Sequence, residues 1–135
     1  SDQVKRLFEN PMEVEKDYFK RTRTFPIMHT VAIRKELSET HPWLAVSLYK
    51  AFDQAQKLSR EGIHAPAVLF QLAWLQMYWE KEEALLGENP WEAGAERNRE
   101  TVETLCRYLV EQGIIRKAPP FESLFAPSTL QLAKI

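Results

Sequence analysis

The sequence predicts a predominantly helical chain with one short strand, an α+β fragment. Most of its length carries apolar residues at helical spacing, and only one run shows the β-branched enrichment that is typical of a strand. Of its 135 residues, 44% are hydrophobic and 27% are charged, which is ordinary for a globular protein. One domain is therefore expected over residues 1–135.

A first helix is predicted over residues 11–20. Asn10 can cap a helix, Pro11 suits its first position, and Glu13 completes a pattern like the capping box.

The convincing strand signal covers residues 27–33. Ile27, His29, Val31 and Ile33 would share one face of such a strand. A single strand cannot satisfy its own backbone donors and acceptors, and even a lone hairpin is marginal. We therefore expect its pairing partner to be a sheet in a missing N-terminal portion or a second copy of the chain.

Three longer helices are predicted in the rest of the chain. Residues 42–60 follow a starting proline and precede Gly62, and residues 67–85 follow Pro66. The second of these is apolar nearly all round, which predicts a helix covered on several sides. Residues 95–112 carry the clearest apolar stripe and stop at Gly113. A short turn is expected over residues 121–125.

Composition excludes several classes of function. A net charge of −1 argues against binding nucleic acid, and no apolar run approaches the ~20 residues that a membrane-spanning helix needs. Cys106 is the single cysteine, so the chain has no disulfide framework and no cysteine cluster for a metal. The three histidines are too scattered for a zinc motif, and the four glycines form no phosphate-binding loop. We expect no metal, no cofactor, no nucleic acid and no membrane partner.

His29 is the candidate catalytic residue. It lies in the middle of the predicted strand, on a face otherwise made of isoleucine and valine. It could be a core histidine satisfied by one hydrogen bond, which the residues alone somewhat favour. It could instead be a titratable group at a cleft that transfers protons near neutral pH.

Trp91, Asn98 and Arg99 are further candidates, around the loop between the last two long helices. Trp91 could seal the edge of a core or stack on a planar ligand. Asn98 and Arg99 could form a solvated face, or Arg99 could bind a carboxylate through its fork of donors.

Several segments, taken together in this order, resemble a known family. They are residues 25–34 (FPIMHTVAIR), 41–45 (HPWLA), 48–52 (LYKAF), the Asn98-Arg99 pair before Thr101, and 124–130 (LFAPSTL). The chain looks like the C-terminal half of the 4,5-dihydroxyphthalate decarboxylase-like proteins. The sequence departs from this family at two places: it has Trp91-Glu92-Ala93-Gly94 where the family usually has Trp-Pro-Tyr-Gly, and Arg23 where the family usually has glycine.

The resemblance implies a protein more than twice this length. Its expected fold is that of the type II periplasmic binding proteins, two α/β lobes around a cleft, with this chain as the C-terminal part. A missing N-terminal lobe is then an expected partner, and a homo-oligomer is expected as well.

The resemblance also implies a reaction, the release of CO2 from a dihydroxyphthalate-type substrate without a cofactor. His29 would be the acid, Arg34 or Arg99 would hold a carboxylate of this small aromatic ligand, and Trp91 and Asn98 would complete the binding site. An enzyme of this kind is expected in the cytoplasm, and the fragment alone is expected to be inactive. The alternative is a solute-binding protein that closes on a small carboxylate or aromatic ligand without catalysis.

Overall fold

The structure, a computed structural model, describes residues 4–64 and 72–132. These residues form five α-helices and three short 3₁₀ turns, and no strand occurs among them. The α-helices are α1 (Pro11–Thr22), α2 (Lys35–Thr40), α3 (Leu44–His64), α4 (Leu75–Leu86) and α5 (Arg99–Glu111); the 3₁₀ turns are Glu96–Asn98, Phe121–Leu124 and Pro127–Thr129. The prediction of a predominantly helical chain is confirmed.

Helix α1 begins at Pro11 and extends two residues beyond the predicted end. Asn10 occupies the N-cap position, but its side chain makes no capping hydrogen bond. The helix ends at Arg23, which adopts the left-handed conformation (φ 55°) and donates its backbone N–H to the carbonyl of Phe19 at 2.8 Å. This conformation favours glycine.

The strand predicted over residues 27–33 is wrong. Residues 23–34 have no regular secondary structure, and the side chains of Ile27, Met28 and Val31 are exposed. A strand requires a neighbour whose backbone pairs with its own, and residues 4–64 and 72–132 supply none. The β-branched composition therefore produces an irregular connection between α1 and α2.

Helices α2 and α3 follow this connection. The sequence did not indicate the short α2, which begins after Arg34 and whose first turn bonds to the Arg34 carbonyl. Helix α3 was expected over residues 42–60 but begins at Leu44 and continues through Gly62 to His64. A glycine within a helix costs only about 1 kcal/mol relative to alanine, so Gly62 does not stop it.

Helix α4 begins at Leu75 and ends one residue beyond the helix predicted over 67–85. The predicted residues 67–71 are outside the described part of the chain, and residues 72–74 are not helical. Helix α4 is less covered than its all-round apolar sequence indicates, since Met77 is 49% and Tyr78 57% exposed. Helix α5 follows a 3₁₀ turn, and the chain leaves it through Gly113 in a positive-φ conformation (φ 70°).

The helices make few side-chain contacts with one another. Helix α3 packs against α2 and the turn Pro127–Thr129, and α5 packs against the turn Phe121–Leu124. The hydroxyl oxygens of Tyr18 on α1 and Tyr108 on α5 lie 3.5 Å apart. Among the described residues, the buried apolar side chains are those of Ala45, Ala95 and Phe121.

The chain exposes much more surface than a compact protein of its mass. Its accessible surface is 11162 Å². A compact monomer of 15.8 kDa is expected to expose about 7,300 Å². Exposed large apolar side chains lie on several helices, among them Met12, Phe52, Met77 and Leu105. Within the parts of the chain described above, no helix combines the length and the hydropathy needed to cross a membrane.

Candidate functional site

Asn98 holds the loop that joins α4 to α5. Its side-chain amide nitrogen donates to the carbonyl of Glu92 at 2.8 Å and to the carbonyl of Gly94 at 2.9 Å. These two bonds use both hydrogens of the amide. Asn98 therefore acts on the backbone of the loop that carries Trp91.

Two side chains of α3 hold the same loop from the other side. Gln56 donates its amide to the carbonyl of Trp91 at 2.7 Å, and the Tyr49 hydroxyl donates to the carbonyl of Ala93 at 3.3 Å. With the two bonds from Asn98, the carbonyls of four consecutive residues, 91 to 94, each accept a side-chain hydrogen bond.

Gly94 has a backbone conformation that favours glycine. Its φ of 132° is rarely adopted by residues with a side chain. A Cβ atom there would lie 3.5 Å from the Arg97 side chain, which forms an ion pair with Glu92, and 3.6 Å from the Leu132 carbonyl. Both distances are ordinary van der Waals contacts, so the φ angle, and not a lack of space, favours glycine at this position.

The Trp91 ring forms an aromatic pair with Phe25. Their ring centroids are 4.8 Å apart and the planes are nearly perpendicular, at 87°, an edge-to-face arrangement that such pairs favour. Phe25 is half-buried, whereas Trp91 is 46% exposed. Part of the indole is thus open to a ligand on rigid backbone.

Arg99 is surrounded by carboxylates of the chain itself. Glu96 accepts from its Nε at 3.0 Å and from its Nη2 at 2.7 Å. Glu122 accepts from Nη2 at 2.9 Å, and Glu103 from Nη1 at 3.3 Å. All three nitrogens of the guanidinium therefore have partners.

These contacts shift the pKa values of the groups involved. The hydrogen bonds that Arg99 donates to Glu96 and then to Glu122 raise the pKa of Arg99, which stays charged. The hydrogen bond from Arg99 lowers the pKa of Glu96. For Glu122, its own backbone N–H and then Arg99 lower the pKa.

His29 and Arg34 lie on the irregular connection and both are exposed. Within residues 4–64 and 72–132, neither side chain makes a hydrogen bond, an ion pair or a ring contact. No such contact joins them to Trp91, Asn98 or Arg99. Asn98 thus holds the loop of Trp91, whereas the Arg99 side chain binds Glu96, Glu103 and Glu122. His29 and Arg34 lie on a separate element. This element adjoins the loop through Phe25.

Three residues of this arrangement were not singled out from the sequence: Phe25, Tyr49 and Gln56. Gln56 carries no special signal, because a glutamine on a long helix usually faces water. Phe25 and Tyr49 fall within segments that carry the resemblance. In the described part of the chain, no group of three or more His, Cys, Asp or Glu side chains could hold a metal ion.

Comparison with known proteins gives one substantial similarity. No family model matches the chain. It is 34% identical over 135 residues to the 4,5-dihydroxyphthalate decarboxylase of Comamonas testosteroni. The match covers 98% of this chain and 41% of the relative, so the chain spans about two fifths of the length of the protein it matches. The resemblance to these decarboxylases is therefore supported along almost the whole chain.

Proposed function

We propose that this chain belongs to an aromatic acid decarboxylase that releases CO2 from a dihydroxyphthalate-type substrate. The observation that carries the proposal is the 34% identity to a protein named 4,5-dihydroxyphthalate decarboxylase, extending over 98% of the chain. The activity belongs to the whole protein. We propose that this chain supplies its C-terminal part, in a two-lobed fold like that of the type II periplasmic binding proteins.

The chemistry requires a proton at the ring carbon that carries the departing carboxylate. Protonation of that carbon leaves a positive charge in the ring, which the ring hydroxyls stabilise. The carbon–carbon bond then breaks, its electron pair restores the aromatic ring, and CO2 leaves. We propose that His29 donates the proton. Its side chain is exposed and makes no contact in the described residues that would compete with a substrate.

Arg34 is better suited than Arg99 to bind a substrate carboxylate. The guanidinium of Arg99 already binds Glu96, Glu103 and Glu122, and a ligand would have to displace one of them. Arg34 lies five residues from His29, on the same exposed connection, and makes no ion pair in the ranges that the structure describes. Its planar fork can bind a carboxylate through two parallel hydrogen bonds.

The Trp91–Phe25 pair supports the binding of an aromatic ring. Aromatic faces bind planar rings through stacked or edge-to-face contacts, and about half of Trp91 is open to such a contact. Phe25 connects this surface to the segment that carries His29 and Arg34. We propose that Trp91 binds the ring of a small aromatic carboxylate and that Arg34 binds its carboxylate.

We further propose that a second lobe of the same polypeptide covers part of the exposed surface. The accessible surface of 11162 Å² exceeds the expected value by roughly 3,800 Å². A typical dimer interface covers only about 800 Å² per partner. The excess is therefore too large for one such contact, which supports a second lobe in addition to a homo-oligomer.

The test uses the intact full-length protein and 4,5-dihydroxyphthalate. Release of CO2, with the ring product identified by mass spectrometry, is the expected result. Titration calorimetry with phthalate, which lacks the hydroxyl groups, measures binding without turnover. Tight binding of both compounds with no release of CO2 would reject the decarboxylase and leave a solute-binding protein. An absence of binding to both would reject the aromatic carboxylate altogether.

A further inference from the structure

We propose that Gln56, Tyr49 and Asn98 are positioning residues that fix the Trp91 loop, so that Trp91 and Phe25 present a rigid aromatic face to the ring of the ligand. The inference rests on the proposed function, because it takes the ligand to be an aromatic carboxylate. It adds two residues to the site, Gln56 and Tyr49, and gives Asn98 a role on the loop.

The hydrogen bonds are unusual for a connection between two helices. Loop carbonyls commonly bond to water, and loops are the mobile parts of most proteins. Here four consecutive carbonyls, of residues 91 to 94, accept from side chains instead. The donors come from two different elements, α3 and the 3₁₀ turn Glu96–Asn98 that precedes α5. The loop is therefore held from both sides.

Because of these bonds, the amide nitrogen of Asn98 has no free hydrogen to donate to a ligand. Both hydrogens of its amide go to the carbonyls of Glu92 and Gly94, at 2.8 and 2.9 Å. A substrate could receive a hydrogen bond from this nitrogen only if the loop gave one up. A positioning role follows more directly from this geometry than direct contact with the substrate.

Fixing the loop has a consequence for Trp91. A ligand that stacks on a mobile tryptophan must order the side chain and the loop, which weakens binding. Gln56 bonds to the carbonyl of Trp91 itself, at 2.7 Å, and Phe25 supports its ring at 4.8 Å. The backbone and the ring of Trp91 are thus both held before a ligand arrives.

The helix α3 offers a matched pair of variants in the full-length protein. Gln56→Ala removes the bond to Trp91. Gln54→Ala makes the same change two residues earlier, where the exposed side chain has no hydrogen bond within the described residues. Tyr49→Phe removes one hydroxyl with little change of shape, which guards against a general folding defect.

Hydrogen exchange, ligand binding and thermal melting are measured for each variant. Hydrogen–deuterium exchange reports the protection of the backbone amides of residues 91–98, and calorimetry gives the dissociation constant for phthalate. We expect Gln56→Ala and Tyr49→Phe to speed exchange in that segment and to raise the dissociation constant by roughly 3- to 10-fold, the value of one hydrogen bond. Melting should stay unchanged, and Gln54→Ala should match the wild type in every measurement.

The outcomes separate this inference from the proposed function. If wild-type protein does not bind phthalate, the proposed function fails and this inference falls with it. If wild type binds but the loop of Gln56→Ala stays as protected as before, the positioning role alone is overturned. Faster exchange with an unchanged dissociation constant also overturns it, because the loop would then be held without any effect on the ligand.

Discussion

The guanidinium of Arg99 lies over the ring of Phe121, with its central carbon 3.8 Å from the ring centroid. Phe121 is 6% exposed and is the one large apolar side chain that is buried in the described parts of the chain. A cation over an aromatic face is attracted by the negative charge of that face. The pair therefore ties the turn Phe121–Leu124 to the beginning of α5.

Replacing Phe121 should destabilise the full-length protein strongly. Phe121→Ala removes a buried ring that also packs against Phe125, with centroids 4.9 Å apart. Phenylalanine-to-alanine changes in cores cost about 3–5 kcal/mol, and we expect about 3 kcal/mol here because the turn lies near the surface. Urea unfolding measures the change. Leu124→Ala on the same turn is the control, since Leu124 is 46% exposed and should cost much less. Equal decreases in the free energy of unfolding for the two variants would contradict the role of Phe121 as the main buried side chain of this turn.

The carboxylates on Arg99 predict a pH dependence of stability. The pKa values of Glu96 and Glu122 are held below their ordinary value of 4.5. Their contribution is therefore fully present above pH 4.5, and it is lost as the pH falls through the lowered values. Arg99→Gln should lower the urea midpoint at pH 7, and the difference from wild type should shrink as the pH falls below 4.5.

A variant that lacks one lysine controls for the loss of a positive charge alone. Lys35→Gln removes one positive charge from an exposed pair in which Lys35 Nζ lies 3.7 Å from Glu39. We expect its urea midpoint to follow that of the wild type across the same pH range, because exposed pairs contribute little. A constant difference in urea midpoint between Arg99→Gln and wild type from pH 7 to pH 3 would contradict the coupling of Glu96 and Glu122 to Arg99.

Arg23→Gly should stabilise the protein. Arg23 has a φ of 55°, which an arginine adopts at a cost of about 1–2 kcal/mol and glycine adopts freely. The greater freedom of glycine in the unfolded chain offsets part of this gain, so we expect a net increase of about 0.5 kcal/mol. Arg21→Gly, inside α1, should instead lower stability by about 1 kcal/mol. Changes of the same sign in the free energy of unfolding of the two variants would contradict the left-handed conformation of Arg23.

The sequence predicts the helices better than the extended segment, for a physical reason. A helix satisfies its backbone within the segment itself, so the apolar spacing of α3 and the glycine after α5 suffice to indicate each helix. A strand depends on a partner elsewhere. Residues 27–33 have a strand-like composition, yet without a partner they form an irregular connection. No periodicity in the segment could have shown that.

In the candidate site, too, contacts between residues close in sequence were easier to predict than contacts between distant residues. Trp91 and Asn98 are close in sequence, and the bonds from Asn98 to the loop of Trp91 span only four to six residues. The bond from Gln56 to Trp91 spans 35 residues, and the ion pair from Arg99 to Glu122 spans 23. Such contacts depend on how the helices pack, which no local pattern encodes. The sequence accordingly indicated the loop and Asn98, but not Gln56 and Tyr49, which hold the loop from α3.

Replacing His29 should abolish turnover without affecting stability. Its exposed side chain makes no contact within residues 4–64 and 72–132, so the free energy of unfolding of His29→Gln should stay within about 0.5 kcal/mol of wild type. Loss of a general acid should lower the rate of CO2 release by roughly 10²- to 10⁴-fold. His41→Gln is the matched control, because His41 is also exposed and should retain activity. Normal turnover in His29→Gln would remove this residue from the mechanism.

The isolated 135-residue chain should associate in solution. Met77 and Tyr78 of α4 and Trp74, which directly precedes this helix, are exposed and line a groove of about 270 Å³ with Lys81. Exposed apolar surfaces of this kind mark sites of interaction or aggregation. Sedimentation velocity should show dimers or larger species that increase with concentration.

Two variants locate the surface that drives this association. Replacing both Met77 and Tyr78 by lysine in one variant places two charges in the groove. We expect the sedimentation coefficient of this variant to fall toward that of a monomer. Val14→Lys adds a charge to the exposed face of α1 and should change association less, because Val14 lies outside the groove. Equal decreases in the sedimentation coefficient for the two variants would show that association depends on the exposed apolar surface in general and not on the groove at α4. A monodisperse wild-type monomer at high concentration would contradict the expectation, because the chain would then keep about 3,800 Å² of excess surface in water without a partner.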